Sequence, residues 1–142
     1  MNKQIIIHQV NCMGVMGAGF ARYVRDTYPQ CYQSYREFCL AVKDNPQSLL
    51  GKIYIYEGIE DIIINMFSQC YYGRQQRYTD YAAMELALQE VRQLYPDDTI
   101  IAPYMIGCGL AGGDWSIVSQ LLKKYNIQTS QKIQLKGDKK YE

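Results

Sequence analysis

Little in this chain is equipped to hold a metal, a disulfide or a membrane. Histidine occurs once in 142 residues, and the five cysteines, Cys12, Cys31, Cys39, Cys70 and Cys108, are odd in number and form no C-x-x-C pair. A zinc site or a disulfide framework is not expected from that pattern, and nothing calls for a metal or a cofactor. Unpaired thiols suit a reducing compartment, and the N-terminus shows neither the apolar stretch nor the cleavage site of a signal peptide, so the expected location is the cytoplasm. No apolar run approaches the length of a membrane span. Net charge is nearly nil, 15 basic residues against 14 acidic ones. Such a chain lacks the field that recruits duplex nucleic acid by counterion release, so nucleic acid is expected only as a chemically modified substrate. Lys136, Lys139 and Lys140 cluster near the C-terminus, where a solvated tail is expected.

What is present is a regular alternation of strand-like and helix-like runs over a length that suits one domain, residues 1–142, able to bury about two-thirds of its unfolded surface. Ile5-Ile6-Ile7 and Ile62-Ile63-Ile64 are continuous β-branched stretches, as strands covered on both faces require. Lys52 to Tyr56 and Thr99 to Met105 read as further strands, and the polar run Gln128 to Leu135 as an edge strand. Helices are expected from Gly17 to Tyr28, stopped by Pro29, and from Tyr32 to Val42. A third starts at a Thr79 cap, with Met84, Ala87, Leu88, Val91 and Leu94 on its inner face. A fourth starts at Asp114, with Val118, Leu121, Leu122 and Tyr125 facing inward. This order predicts a three-layer α/β/α domain around a central mixed sheet.

Two glycine-rich turns stand out, Gly14-Val15-Met16-Gly17-Ala18-Gly19 and Gly107-Cys108-Gly109-Leu110-Ala111-Gly112-Gly113. Each follows a strand and precedes a helix, which gathers backbone N–H groups and the positive end of a helix around one spot. Two such turns suit a ligand with two phosphates or a diphosphate. Neither contains Lys or Arg, so amides rather than a cation would hold it. A P-loop is excluded because Phe20 and Ala21 occupy the places of its Lys and Ser or Thr, and Gly14, Gly17 and Gly19 do not have the G-x-G-x-x-G spacing. In α/β sheets such a ligand lies beyond the carboxyl ends of the strands, where both turns fall.

The residues from Ile6 to Ala21, IIHQVNCMGVMGAGFA, with Tyr28-Pro29 beyond them, resemble the first ligand loop of macro domains, and Ile106 to Trp115, IGCGLAGGDW, resembles their second, phosphate-wrapping loop. Within that superfamily the chain is most similar to the branch of the yeast-type ADP-ribose-1''-phosphate phosphatases and their phage and bacterial relatives, from His8 to about Leu122. The resemblance implies an ADP-ribose-type small-molecule partner, with its diphosphate between the loops and its distal ribose near Asn11. It implies a hydrolase that removes the terminal phosphate of ADP-ribose-1''-phosphate, with an ADP-ribosyl hydrolase or a non-catalytic binder as alternatives. Ala111 stands where the related glutamyl-ADP-ribose hydrolases carry an aspartate, and their lysine is replaced in the Met66-Phe67 region, which favours the small phosphoester. Macro domains usually begin with a strand ending in Gly-Asp that recognises adenine. Here that leading strand is absent or rearranged, and Lys136-Gly137-Asp138 is the candidate to replace it.

Three side chains are the catalytic candidates. His8 is the one group whose ordinary pKa lies near neutrality; it is either a core imidazole or, as the resemblance implies, a proton donor to the leaving oxygen or an attacking group on phosphorus. Asn11 either offers donors and an acceptor to ribose hydroxyls or caps its own turn. Asp114 either caps a helix or orients a water or ribose hydroxyl. The segment Tyr71, Tyr72, Gly73, Arg74, Gln75, Gln76, Arg77, Tyr78 and Tyr81 offers rings to stack on a base and an arginine to meet a terminal phosphate.

Overall fold

Gln4–Val10 forms the central strand, β1, of a five-stranded mixed sheet in the computed structural model, which describes residues 2–138. The other strands are β2 (Ile53–Glu57), β3 (Asp61–Phe67), β4 (Ile100–Pro103) and β5 (Gln128–Ser130), in the order β2-β3-β1-β4-β5. Only β2 runs antiparallel to its neighbour. The helices are α1 (Gly19–Thr27), α2 (Pro29–Ala41), α3 (Tyr81–Leu94) and α4 (Trp115–Lys124), with a short 3-10 turn at Pro46–Leu49. Among the described residues no helix is long and apolar enough to cross a membrane.

Strand alternation sorts β1 and β3 onto two cores. Ile5, Ile7, Ile64 and Met66 pack with Met84, Leu88 and Val91 of α3 and Val118 and Leu122 of α4. Ile6, Val10, Ile63 and Phe67 pack with Val24, Tyr28, Cys31 and Tyr35 of α1 and α2. The α/β/α layering follows. It also decides that His8 lies on the α1 side and Gln9 on the α3 side.

Some boundaries differ from the sequence reading for local reasons. Pro29 does stop α1, but it also occupies the first turn of α2, where a missing N–H costs nothing. Asp80 rather than Thr79 caps α3, its side chain accepting from the Ala83 N–H. Leu94, expected inside, is exposed at the last turn of α3. The edge strand β5 ends at Ser130; the chain beyond it leaves the sheet and docks through Leu135 on the second core.

That docking is a hydrogen-bonded clasp at the amino ends of β1 and β3. Asp61 is fully buried, and its carboxylate accepts from the Tyr28 hydroxyl, from the Lys136 N–H at 2.6 Å and from Gln4 Nε2 at 3.0 Å. Asp138 accepts from the Ile59 N–H and the Tyr56 hydroxyl. Lys136 to Asp138 are therefore held at the end of the sheet opposite the glycine turns, so the Gly-Asp pair does not reach the proposed adenine place. Lys139 and Lys140 lie outside the described residues. Asp61→Asn turns an amide donor or a weaker acceptor toward these donors and should cost about 3 kcal/mol in urea unfolding; an unchanged midpoint would discount the clasp.

Candidate functional site

Both glycine turns follow parallel strands, the first β1 and the second β4, so they emerge on the same side of the sheet. They border a single cleft of about 500 Å³, a volume typical of small-molecule sites. Val15, Gly17, Ala18 and Gly19 line it from the first turn, and Gly107, Gly109, Leu110 and Ala111 from the second. Gly14, Met16, Cys108, Gly112 and Gly113 do not touch it; they shape the turns from behind.

The cleft is rich in unused backbone donors. The N–H groups in the first turn of α1 have no intrahelical acceptor, and no side chain caps that end. Phe20 and Ala21 of this first turn also line the cleft. Across from them, the N–H groups of Gly109, Leu110 and Ala111 find no acceptor among the described residues. Amides from two directions and one helix N-terminus thus face a common space, which is the chemistry of an anion cradle.

Each turn is braced by side-chain hydrogen bonds. On the α2 side the Tyr35 hydroxyl donates to the Asn11 side chain at 2.8 Å, and the Arg36 guanidinium donates to the Gly14 carbonyl. On the α3 side Gln9 donates to Thr79 Oγ1 and Gln69 Oε1, both at 2.9 Å, and Thr79 in turn donates to the Gly107 carbonyl at 2.6 Å. Gly107 needs its φ of +73°, and a Cβ there would sit 3.0 Å from Gln9 Oε1. Gly113 approaches closely enough that a Cβ would lie 2.5 Å from the Gly107 oxygen.

The three catalytic candidates fall in different surroundings. Asn11 lines the cleft but is engaged by its own turn: Oδ1 accepts from the Met13 N–H at 3.0 Å, and Nδ2 donates to the Val15 carbonyl at 2.7 Å. One amide hydrogen is left over. His8, 1% exposed, contributes to the cleft floor; its Nε2 is 2.7 Å from Asn65 Oδ1, while its buried Nδ1 has no partner among the described residues. Burial lowers its pKa to about 4, against a smaller upward pull from the Asn65 hydrogen bond, so the ring is neutral at pH 7. Asp114 is exposed, does not line the cleft, and caps α4 by accepting from the Ser116 N–H and hydroxyl, which also hold its carboxyl below the usual range. The structure brings His8 and Asn11 to one cleft and leaves Asp114 behind the second turn.

Of the tyrosine and arginine segment, Tyr72, Gly73 and Arg74 border the cleft. Arg77 instead lies 4.4 Å over the Tyr81 ring, so among the described residues Arg74 is the only cationic side chain on the cleft wall. Among the described residues no carboxylate lines that wall. Gln9 and Gln69 line the cleft without having been singled out in the sequence, although a glutamine inside an apolar strand was a visible irregularity. The apolar end, Phe20, Pro103, Tyr104 and Met105, was not foreseen either; Met105 has a φ of +64°, uncommon for a residue with a side chain. All five cysteines are free, and burial raises their thiol pKa values, that of Cys31 to about 12. They are protonated at neutral pH. Among the described residues no cluster of metal-ligating side chains occurs.

No family model matches the sequence. The chain is 24% identical over 148 residues to an ADP-ribose 1''-phosphate phosphatase of Debaryomyces hansenii, covering 86% of this chain and 83% of that protein. It is 27% identical over 127 residues to a DNA ADP-ribosyl glycohydrolase of Mycobacterium tuberculosis, where 85% of this chain spans 34% of the relative. Among solved structures it is similar to the macrodomain of Mycobacterium tuberculosis DarG, with a TM-score of 0.72 at 21% identity, covering 91% of this chain and 88% of that one. A macrodomain protein from Streptomyces coelicolor superposes with a TM-score of 0.68 at 25% identity over 91% of this chain and 86% of the other. Thermosipho africanus DarTG in complex with ADP-ribose gives the same score at 23% identity, over 89% of this chain and 37% of that one. These superpositions extend over about nine-tenths of the chain, sheet and helices together: the chain has the macro-domain fold.

Proposed function

We propose that this macro domain binds ADP-ribose derivatives in the cleft and removes the terminal phosphate of ADP-ribose-1''-phosphate. The observation that carries the reading is the convergence of unpaired amides from both glycine turns on one cleft. A diphosphate is the part of the ligand that such a cradle fits, because its oxygens accept from many N–H groups at once. Gly17 to Ala21 hold it from one side and Gly109 to Ala111 from the other, and the remaining amide hydrogen of Asn11 serves the distal ribose. The apolar end at Phe20, Tyr104 and Met105 takes the flat base. His8 supplies the reactive side chain, since among the described residues no carboxylate or lysine lines the cleft. Asp114 acts on the second turn only through the helix it caps. The resemblance to a phosphatase over most of both chains supports the phosphomonoester as substrate.

Arg74 has no ion-pair or hydrogen-bond partner among the described residues and borders the cleft, so it is the group to meet the extra phosphate. Arg74→Ala should weaken binding of ADP-ribose-1''-phosphate by roughly tenfold, the value of one charge-assisted contact, while leaving ADP-ribose within about twofold. Equal losses for both ligands in calorimetry would remove Arg74 from phosphate recognition.

The second reading, hydrolysis of ADP-ribose from a modified nucleic acid or protein, is favoured by the likeness to the DNA ADP-ribosyl glycohydrolase. Incubation with ADP-ribose-1''-phosphate and with ADP-ribosylated DNA, assayed for inorganic phosphate and free ADP-ribose, separates the two. Phosphate release from the small ester alone supports the first reading; ADP-ribose release from DNA alone overturns it. Tight binding with no turnover of either substrate marks a binder.

A further inference from the structure

We propose that Asn65 is a positioning residue that holds His8 with its proton on Nε2, so that the ring meets a ligand only through the lone pair of Nδ1. The argument starts from register. Asn65 is opposite His8 on the parallel pair β1 and β3, and both side chains point to the α1 side of the sheet. Asn65 is fully buried, an expensive place for an amide unless every polar atom is used. Its Nδ2 donates to the Tyr54 carbonyl of β2 at 3.0 Å, an atom that can only accept. The amide therefore cannot be turned around, and its Oδ1, 2.7 Å from His8 Nε2, must face the ring. A carbonyl oxygen accepts, so the nitrogen it meets carries the hydrogen. Nδ1 is then bare: it is buried and has no partner among the described residues, the one such side-chain atom there, and a ligand or water entering at the cleft floor would supply its donor.

The chemical consequence rests on the function proposed above and narrows it. A neutral ring with its hydrogen committed to Asn65 has nothing to give at Nδ1, so His8 does not begin the reaction as the acid that protonates the leaving oxygen. Any proton moves first toward Nδ1, from a water or hydroxyl at the cleft floor, and leaves by the same atom, returning the ring to its starting form. In phosphoester cleavage this means that water loses its proton to Nδ1 as its oxygen bonds phosphorus. The bond from phosphorus to the sugar oxygen breaks, its electron pair stays on that oxygen, and the proton passes from Nδ1 to it. Burial and the Asn65 hydrogen bond act on the ring, and Cys31, which also contacts Asn65, is an uncharged thiol.

The chain has one histidine, so its imidazole nitrogens are the only ones in a nitrogen-15 spectrum of the tag-free protein. At neutral pH the expected pattern is a protonated Nε2 and an unprotonated Nδ1; a protonated Nδ1, or averaged shifts from mixed tautomers, overturns the proposal. Asn65→Leu should mix the tautomers and lower kcat by roughly tenfold or more at unchanged KM. Asn65→Asp keeps an acceptor at the same place and adds charge, so it should retain the Nε2–H form and move the acid limb of the pH profile upward. If the leucine variant does not fold, the wild-type spectrum and the aspartate variant still decide. A spectrum as expected with no turnover of any ADP-ribose ester would sink the enzymatic reading and leave the tautomer assignment standing.

Discussion

Gly113→Ala should reduce ADP-ribose binding by roughly 100-fold in calorimetry and lower the melting temperature by roughly 5–10 °C. The added methyl group would sit 2.5 Å from the carbonyl oxygen of Gly107, which is backbone and cannot rotate away. That oxygen also accepts from the Gly113 N–H at 2.8 Å and from Thr79 Oγ1 at 2.6 Å, so moving it loosens the brace that joins the second turn to β1 and α3. Crowding of this kind costs about 2–3 kcal/mol. If three amides of the turn are misplaced at about 1 kcal/mol each, affinity falls by about two orders of magnitude. Gly109→Ala is the companion variant, since a Cβ there meets nothing within 4 Å. It should leave stability within about 0.5 kcal/mol, so that any loss of binding reports on the cleft itself. Equal thermal shifts for the two variants would refute the brace.

Acid should destabilise this protein through His8 well before its carboxylates titrate. The folded ring has its pKa lowered from 6.5 to about 4 by burial, whereas the unfolded ring keeps the ordinary value. Between those limits the unfolded chain binds the extra proton, so stability is fully present above about pH 6.5 and is lost as pH falls toward 4. The interval corresponds to about 3 kcal/mol. His8→Gln stays neutral throughout and should flatten this part of the curve. Urea unfolding at pH 7.5 and 4.5 for both proteins isolates the contribution, because the carboxylate effect is common to them. Parallel pH dependence in the two would mean that the buried ring is not the source.

Much of the fold was visible residue by residue. The runs of isoleucine in β1 and β3 announced strands buried on both faces, and the spacing of Met84, Leu88 and Val91 announced the inner face of α3. Asp114 was readable as a cap because a short carboxylate before an amphipathic run satisfies free N–H groups. Thr79 misled for the same reason: it sits beside the true cap, Asp80, and spends its hydroxyl on the Gly107 carbonyl, a partner 28 residues away. Leu94 fits the helical period, but the helix ends before a neighbour can cover it.

Composition and local pattern determined the α/β/α class and the places of the two glycine-rich turns, because these depend on neighbours a few residues apart in the chain. Tertiary structure alone decided that the turns face one cleft, that Arg74 and not Arg77 borders it, and that Asp138 is tied down at the far end of the sheet. It also decided the state of His8, since β1 and β3 had to pair in one register before Asn65 was carried to within 2.7 Å of the ring. The reason is the same in each case: strand pairing and helix packing join residues far apart in the chain, and hydrogen bonds and desolvation act only over the few ångströms that such packing creates.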